Sequence, residues 1–177
     1  MLENNSSKQR VHSLLNHGKF VTLATSGPEG AWSSPVNYVV LYQPLRLLWY
    51  SAWEAAHSRY LRSDPRVSGA IFRTGLDGPT PGLDGLQLTG TATEVQDQLV
   101  PGVHALYYER NFPDEKTRTQ WMLPESEFSG AGGRRFYILT VEQVWLFDLE
   151  RWVLDKYDQR FAVAESAWPS HPMDEGV

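Results

Sequence analysis

The chain has 177 residues, 41% of them apolar and 21% charged, which fits one globular domain with its own core and excludes a wholly disordered chain. Sixteen Lys and Arg against 21 Asp and Glu leave a net charge of −5, a poor match for nucleic-acid phosphates. Cysteine is absent, so disulfides, thiolate metal sites and cysteine nucleophiles are excluded.

The opening residues, MLENNSSKQR, lack the apolar stretch of a secretory signal. No run approaches the ~18 apolar residues of a membrane span. The expectation is a cytoplasmic protein with no membrane partner and no nucleic-acid partner. Residues 6–17 read as a helix: Ser6 or Ser7 caps it, Val11, Leu14 and Leu15 form a stripe, and Gly18 ends it. The period then drops to two. Phe20–Thr25 is a strand, SGPEG a turn, and Ala31–Leu41 a second strand whose Pro35 predicts an edge or a bulge. After Tyr42-Gln43-Pro44 comes a third strand, Leu45–Ser51. Glu54–Arg62 is rich in helix formers and stops at Asp64-Pro65. Arg66–Phe72 returns to strand.

Residues 74–85 form a Gly- and Pro-rich loop holding GLDG twice, read as two turns. Leu86–Val95 is a strand in which Gly90 marks a bulge or a close approach. Val100–Asn111 is a helix with Pro101 in its first turn, and residues 114–122 a shorter one closed by Pro124. SGAGGRR (129–135) is a loop, and Phe136–Phe147 one long strand or a pair. The domain spans residues 1–161; residues 162–177 are expected to be a loose tail. The fold class is mainly β, α+β: a six-stranded antiparallel barrel with peripheral helices. Aromatic residues reach 12%, with seven Trp, which suits either a bulky β core or an aromatic-lined pocket or interface.

There is no GxGxxG after a strand, no phosphate-binding GxxxxGK[ST] loop, no HExxH and no GxSxG elbow. The five His stand at 12, 17, 57, 104 and 171, with no metal-ligand spacing, and no metal is predicted. One constellation carries a mechanism. A strand ends at Ser51 and a helix opens shortly after it. A helix N-terminus offers unpaired N–H groups and partial positive charge. Ser51, His57 and Ser58 stand where they would close around a phosphate, with Arg59 and Arg62 nearby. The plainer reading makes Ser51 a cap and His57 a surface residue. In Ser34-Pro35-Val36-Asn37, the proline frees neighbouring backbone groups to bond a flat polar ring; an ordinary edge strand is the alternative.

In order, the opening helix, LATSGPEGAWSSPVNYVV, LRLLWYSAWEAAHSRYLRSDPRVSGAIF and LQLTGTATEV resemble the pyridoxamine 5′-phosphate oxidase-like FMN-binding split-barrel family. ALYYERNFP and RRFYILTVEQVWLFDLERW resemble an uncharacterised bacterial branch of it, and the likeness spans residues 6–161. The resemblance implies a split barrel that forms a homodimer with FMN at the interface. It puts Ser34, Pro35, Val36 and Asn37 against the isoalloxazine ring, and Tyr50 and Ser51 beside the ring and ribityl phosphate. It puts His57 and Ser58 on the phosphate, and Leu86 and Gln87 on the strand lining the ring. The chain departs from the oxidases proper. Ala55-Ala56-His57 stand where these carry Arg and Lys, Ser34 or Pro35 replaces their strand Arg, and their C-terminal Arg-x-His is missing. Pyridoxamine phosphate oxidation is therefore not predicted.

The function expected is that of an FMN-dependent oxidoreductase acting on a small-molecule substrate, with reduced nicotinamide as a candidate donor; the flavin supplies the chemistry and no residue is assigned as acid or base. Two other readings stay open: a non-enzymatic flavin or haem binder or sensor on the same barrel, and a barrel that only dimerises. Trp121, Trp145 and Trp152 are candidates to reach a partner's flavin.

Overall fold

The computed structural model describes residues 2–73 and 84–170, with side chains from residue 6 onward. In chain order these form α1 (Leu2–His17), β1 (Phe20–Gly27), β2 (Gly30–Asn37), β3 (Val39–Leu41), β4 (Arg46–Ala52), α2 (Ala56–Ser63), β5 (Arg66–Phe72) and β6 (Gly85–Glu94). There follow α3 (Val100–Asn111), α4 (Glu115–Trp121), β7 (Arg134–Phe147), α5 (Leu149–Asp155) and β8 (Arg160–Ala162). All pairings are antiparallel, in the order β2-β1-β5-β6-β7-β4-β3, with β8 alongside β7. Six long strands make the expected split barrel; β3 and β8 are additions of three residues each.

The expected strand over 31–41 is two strands. β2 lies at one end of the sheet order and β3 at the other, and the chain crosses between them at Tyr38. The Tyr38 side chain is buried there and donates to the Leu15 carbonyl at 2.7 Å. This crossing curls the sheet and brings its ends together. Pro35 sits on β2, opposite Thr22, on an edge strand as its missing N–H requires. Gly30, with φ of +104°, supplies the turn between β1 and β2.

Alternation along the strands sends Val21, Leu23, Leu47, Trp49, Val67, Leu86, Leu88, Leu139 and Leu146 into the barrel, where Val11, Leu14 and Leu15 of α1 complete the core. A second core lies outside the barrel. It packs Val39, Leu48 and Phe136 under Val100, Tyr107 and Tyr108 of α3, with Phe128. The bulge expected at Gly90 is present: the register slips between Thr89 and Gly90, leaving Glu142 of β7 as the extra residue. A Cβ at Gly90 would stand 2.0 Å from the Thr140 carbonyl oxygen, so the glycine permits the close approach.

Two expectations are corrected, and one helix is added. Helix α1 starts before Ser6 or Ser7, so neither caps it. The strand read over Phe136–Phe147 is β7, and the chain after it, to which no element was assigned, forms α5, capped by the Asp148 carboxylate on the Arg151 amide. The segment after Phe161 is not loose as far as residue 170: Val163 and Ala167 are buried and Trp168 packs on the core, its indole N–H donating to the Val163 carbonyl. Its apolar residues sit among polar ones, which hid the packing. The first GLDG, Gly82 and Leu83 of the second, and residues 171–177, with His171, lie outside the described residues. Among the described residues no helix is long and apolar enough to cross a membrane.

Candidate functional site

Along β2, Ser34 and Val36 face inward, Pro35 is exposed, and Asn37 is half-buried. Ser51, at the end of β4, is likewise turned inward. Both hydroxyls meet one ring. His57 in the first turn of α2 holds Ser34 Oγ at 3.0 Å from its Nδ1 and Ser51 Oγ at 2.7 Å from its Nε2. The three residues are 7–9% exposed. A neutral imidazole donates from one nitrogen and accepts at the other, and hydroxyls complement either choice. Burial pushes the His57 pKa below its ordinary value. The cluster therefore ties an end strand of the sheet, β2, to β4, beside the other end.

The residue before α2, Ala55, provides no side-chain cap, and the first turn carries no acidic residue. Helical bonding begins with the Arg59 amide on the Ala55 carbonyl at 3.0 Å. The amides of Ala56, His57 and Ser58 thus precede the ladder and have no main-chain acceptor. The Ser58 hydroxyl donates to the Ala52 carbonyl at 2.8 Å, so its proton is committed. What this N-terminus presents to an anion is main-chain amide, in a positive setting. The guanidinium groups of Arg62 and Arg135 lie 4.7 and 5.6 Å from the centre of the Trp53 ring, two residues before Ala55. The donor set fits a phosphate monoester.

Sequence reasoning missed Trp53 and Arg135. Arg135 is nearly buried. It donates to the Gly130, Gly132 and Arg134 carbonyls and pairs with Glu94 at 3.2 Å. Its approach to Trp53 is a long-range contact with no local signal; the arginine pair in a glycine loop was the one hint.

A second feature lies on the outer face of the barrel. Cross-strand pairing aligns Pro35, Thr22, Ala70, Gln87, Trp145 and Ala162 in one row. Beside it Ser33, Ala24, Ser68, Thr89 and Gln143 form another. Small side chains leave an open cleft of about 550 Å³ here, in which Arg160 is the one charged residue among the described lining. Phe20 and Phe72 stand exposed nearby on β1 and β5. Gln87 lines this cleft, while Leu86 is buried in the barrel core, because adjacent strand residues face opposite ways.

Tyr50 faces away from Ser51. Its ring packs among Tyr107, Tyr108, Phe128 and Phe136 at 5.1–6.3 Å. Asn37 accepts from the Tyr107 hydroxyl and donates to the Lys19 carbonyl, each at 2.8 Å. The structure thus gathers Ser34, Ser51 and His57, with Ser58 beside them in α2. It puts Tyr50 and Asn37 under α3, Pro35 and Gln87 on the outer face, and Val36 and Leu86 in the core. Trp145 lines the outer cleft, whereas Trp121 is exposed and stacks on Phe112 at 6.2 Å. His104 is buried, its Nε2 2.8 Å from the Leu123 carbonyl oxygen. Among the described residues no group of three His, Asp or Glu could hold a metal, and no His lines the cleft.

The sequence matches the family model of pyridoxamine 5′-phosphate oxidase over residues 7–148. A UPF0306 protein of Pasteurella multocida is 28% identical over 115 residues, which cover 62% of this chain and 74% of that one. A solved haem-binding protein from Mycobacterium smegmatis aligns with 92% of this chain at a TM-score of 0.63 and 18% identity; the alignment spans 59% of that protein's length. A FAD-binding protein from Mesorhizobium loti aligns with 77% of this chain and 90% of its own at a TM-score of 0.56 and 18% identity. At such identities these structures share the fold.

Proposed function

We propose a function for a chain that belongs to the pyridoxamine 5′-phosphate oxidase family: it is a flavoprotein that binds FMN at the interface of a homodimer and serves as an oxidoreductase for a small molecule. The observation that carries this reading is the uncapped N-terminus of α2, in whose first turn His57 ties Ser34 to Ser51. The Ala56, His57 and Ser58 amides would hold the phosphate, aided by the charge of Arg62 and Arg135. Bound FMN supplies hydride or single-electron chemistry through its ring. The chain supplies position: β2 carries Ser34 toward His57 and Pro35 toward the outer face, so one strand links the anion site to the uncharged row.

The homodimer would form through that outer face. Its two rows of uncharged residues flank an open cleft in which Arg160 is the one charged residue among the described lining, and a face with so little charge meets its own copy without strong repulsion. Covering the cleft in this way would exclude water from a flat ring. Flavin is preferred to haem because no His among the described residues lines the cleft, and both His57 and His104 are engaged in the interior.

The test is a titration of purified protein with FMN, followed by flavin fluorescence and the visible spectrum, with light scattering to count chains. Micromolar or tighter binding, a shifted spectrum and one FMN per chain of a dimer are expected. NADH or NADPH should then bleach the bound flavin. A Soret band on haem addition with no response to FMN would refute this reading in favour of a haem binder.

A further inference from the structure

We propose that docking of a phosphate monoester at α2 draws a proton onto His57, so that FMN binds more tightly as pH falls from 8 to 7. The inference rests on the flavin reading and adds a regulatory property to the same site. Its starting point is the composition of the cluster. A buried imidazole lies between two hydroxyls and no carboxylate. Hydroxyls both donate and accept. The imidazolium form can therefore donate from both nitrogens to Ser34 and Ser51 without any contact being lost. Each hydroxyl proton is then directed away from the ring and needs another acceptor. A phosphate offers acceptor oxygens and the negative charge that stabilises the imidazolium.

Among the described residues no carboxylate hydrogen-bonds to His57. β2 presents Ser34 to the ring and β4 presents Ser51. Glu29, in the turn between β1 and β2, accepts from the Tyr60 hydroxyl at 3.3 Å. Glu54, just before α2, lies 4.0 Å from Arg62. Glu94 of β6 pairs with Arg135 of β7. Arg59 of α2 donates to the Glu54 carbonyl. None of these groups hydrogen-bonds to His57, and burial alone disfavours its charged form. An incoming phosphate would supply the missing counter-charge. Arginine at such a position would hold the anion with a permanent charge; histidine makes the bound state proton-dependent.

The experiment follows the His57 ring carbons by NMR between pH 6 and 8, with and without saturating FMN, and measures the dissociation constant over the same range. Riboflavin, which lacks the phosphate, is the control, and His57→Gln removes the titrating group. We expect a neutral ring at pH 7 in the free protein and an imidazolium in the FMN complex. One linked proton gives up to a tenfold change in affinity per pH unit. The phosphate's own second ionisation, near pH 6, acts in the opposite direction, since it favours the dianion as pH rises. Tightening between pH 8 and 7 therefore belongs to the protein. It should be absent with riboflavin and in His57→Gln. A ring that stays neutral in the FMN complex, or a variant with the wild-type pH profile, overturns the inference and leaves the flavin reading standing. Absence of FMN binding at every pH overturns both. The NMR measurement needs no variant, so a poorly folded His57→Gln would not blunt the test.

Discussion

Ser51→Ala removes the hydroxyl that lies 2.7 Å from His57 Nε2. The change deletes one oxygen and opens almost no cavity, so the cost is that of the lost hydrogen bond. Ser51 is 9% exposed and His57 8% exposed, which leaves the ring nitrogen little access to water. A buried polar group stripped of its partner costs about 1–3 kcal/mol. Ser34→Ala does the same at Nδ1, where the contact is longer at 3.0 Å, and should fall at the lower end. For a domain of this size, about 2–4 °C of melting temperature per kcal/mol predicts a fall of roughly 2–12 °C for Ser51→Ala. Urea unfolding followed by tryptophan fluorescence measures both variants, and the slope with denaturant should be unchanged. A stricter form uses the asymmetry between unmade and absent hydrogen bonds. His57→Leu alone strands two hydroxyls, so adding Ser34→Ala and Ser51→Ala to it should recover stability. If both single serine variants stay within about 0.5 kcal/mol of wild type, or the triple variant is less stable than His57→Leu alone, the cluster does not tie β2 to β4 and the reasoning fails.

Gly90→Ala puts a methyl group 2.0 Å from the Thr140 carbonyl oxygen, and a backbone atom in a sheet yields little. It should cost more than about 2 kcal/mol in urea unfolding, and a neutral result would mean the bulge relaxes freely. The pH dependence of stability follows from His57. Its folded pKa is depressed by burial, so the unfolded chain binds more protons. Stability of the free protein should be level with respect to this group above pH 6.5 and fall as pH drops from there toward the depressed value. Equilibrium unfolding at pH 7.5, 6.5 and 5.5 should show that decline in wild type and a smaller one in His57→Gln. Ala70→Arg puts a long charge at the centre of the outer row while leaving the core untouched. Light scattering should show a monomer of normal melting temperature, and an intact dimer would place the interface elsewhere.

Most elements were legible because their signals are local. Asp114 caps α4, its carboxylate accepting from the Thr117 amide at 2.8 Å, and Pro101 opens α3 where proline loses no hydrogen bond. Gly90 and Pro35 named the bulge and the end strand. Helix α5 was not assigned although Asp148 caps it, because seven residues give barely two turns over which a helical period could show. The split at Tyr38 left no local mark: a valine-rich run pairs equally well with either neighbour, and the hydroxyl bond to Leu15 becomes available only once α1 has docked.

Composition and period were enough for an acidic, cysteine-free antiparallel barrel with a helix between Ser51 and Asp64-Pro65, and the order of the motifs carried the resemblance to this family. These properties depend on neighbours along the chain, and short-range sterics and hydrogen bonding write them into residue order. Tertiary structure alone decided that Ser34 and Ser51 share one imidazole, and that Arg135 approaches Trp53. It also decided that Leu86 and Gln87 part to opposite faces. Such contacts depend on the curl of the sheet and on which strands become neighbours. That choice is made by burying the whole core at once, and no short stretch of sequence encodes it.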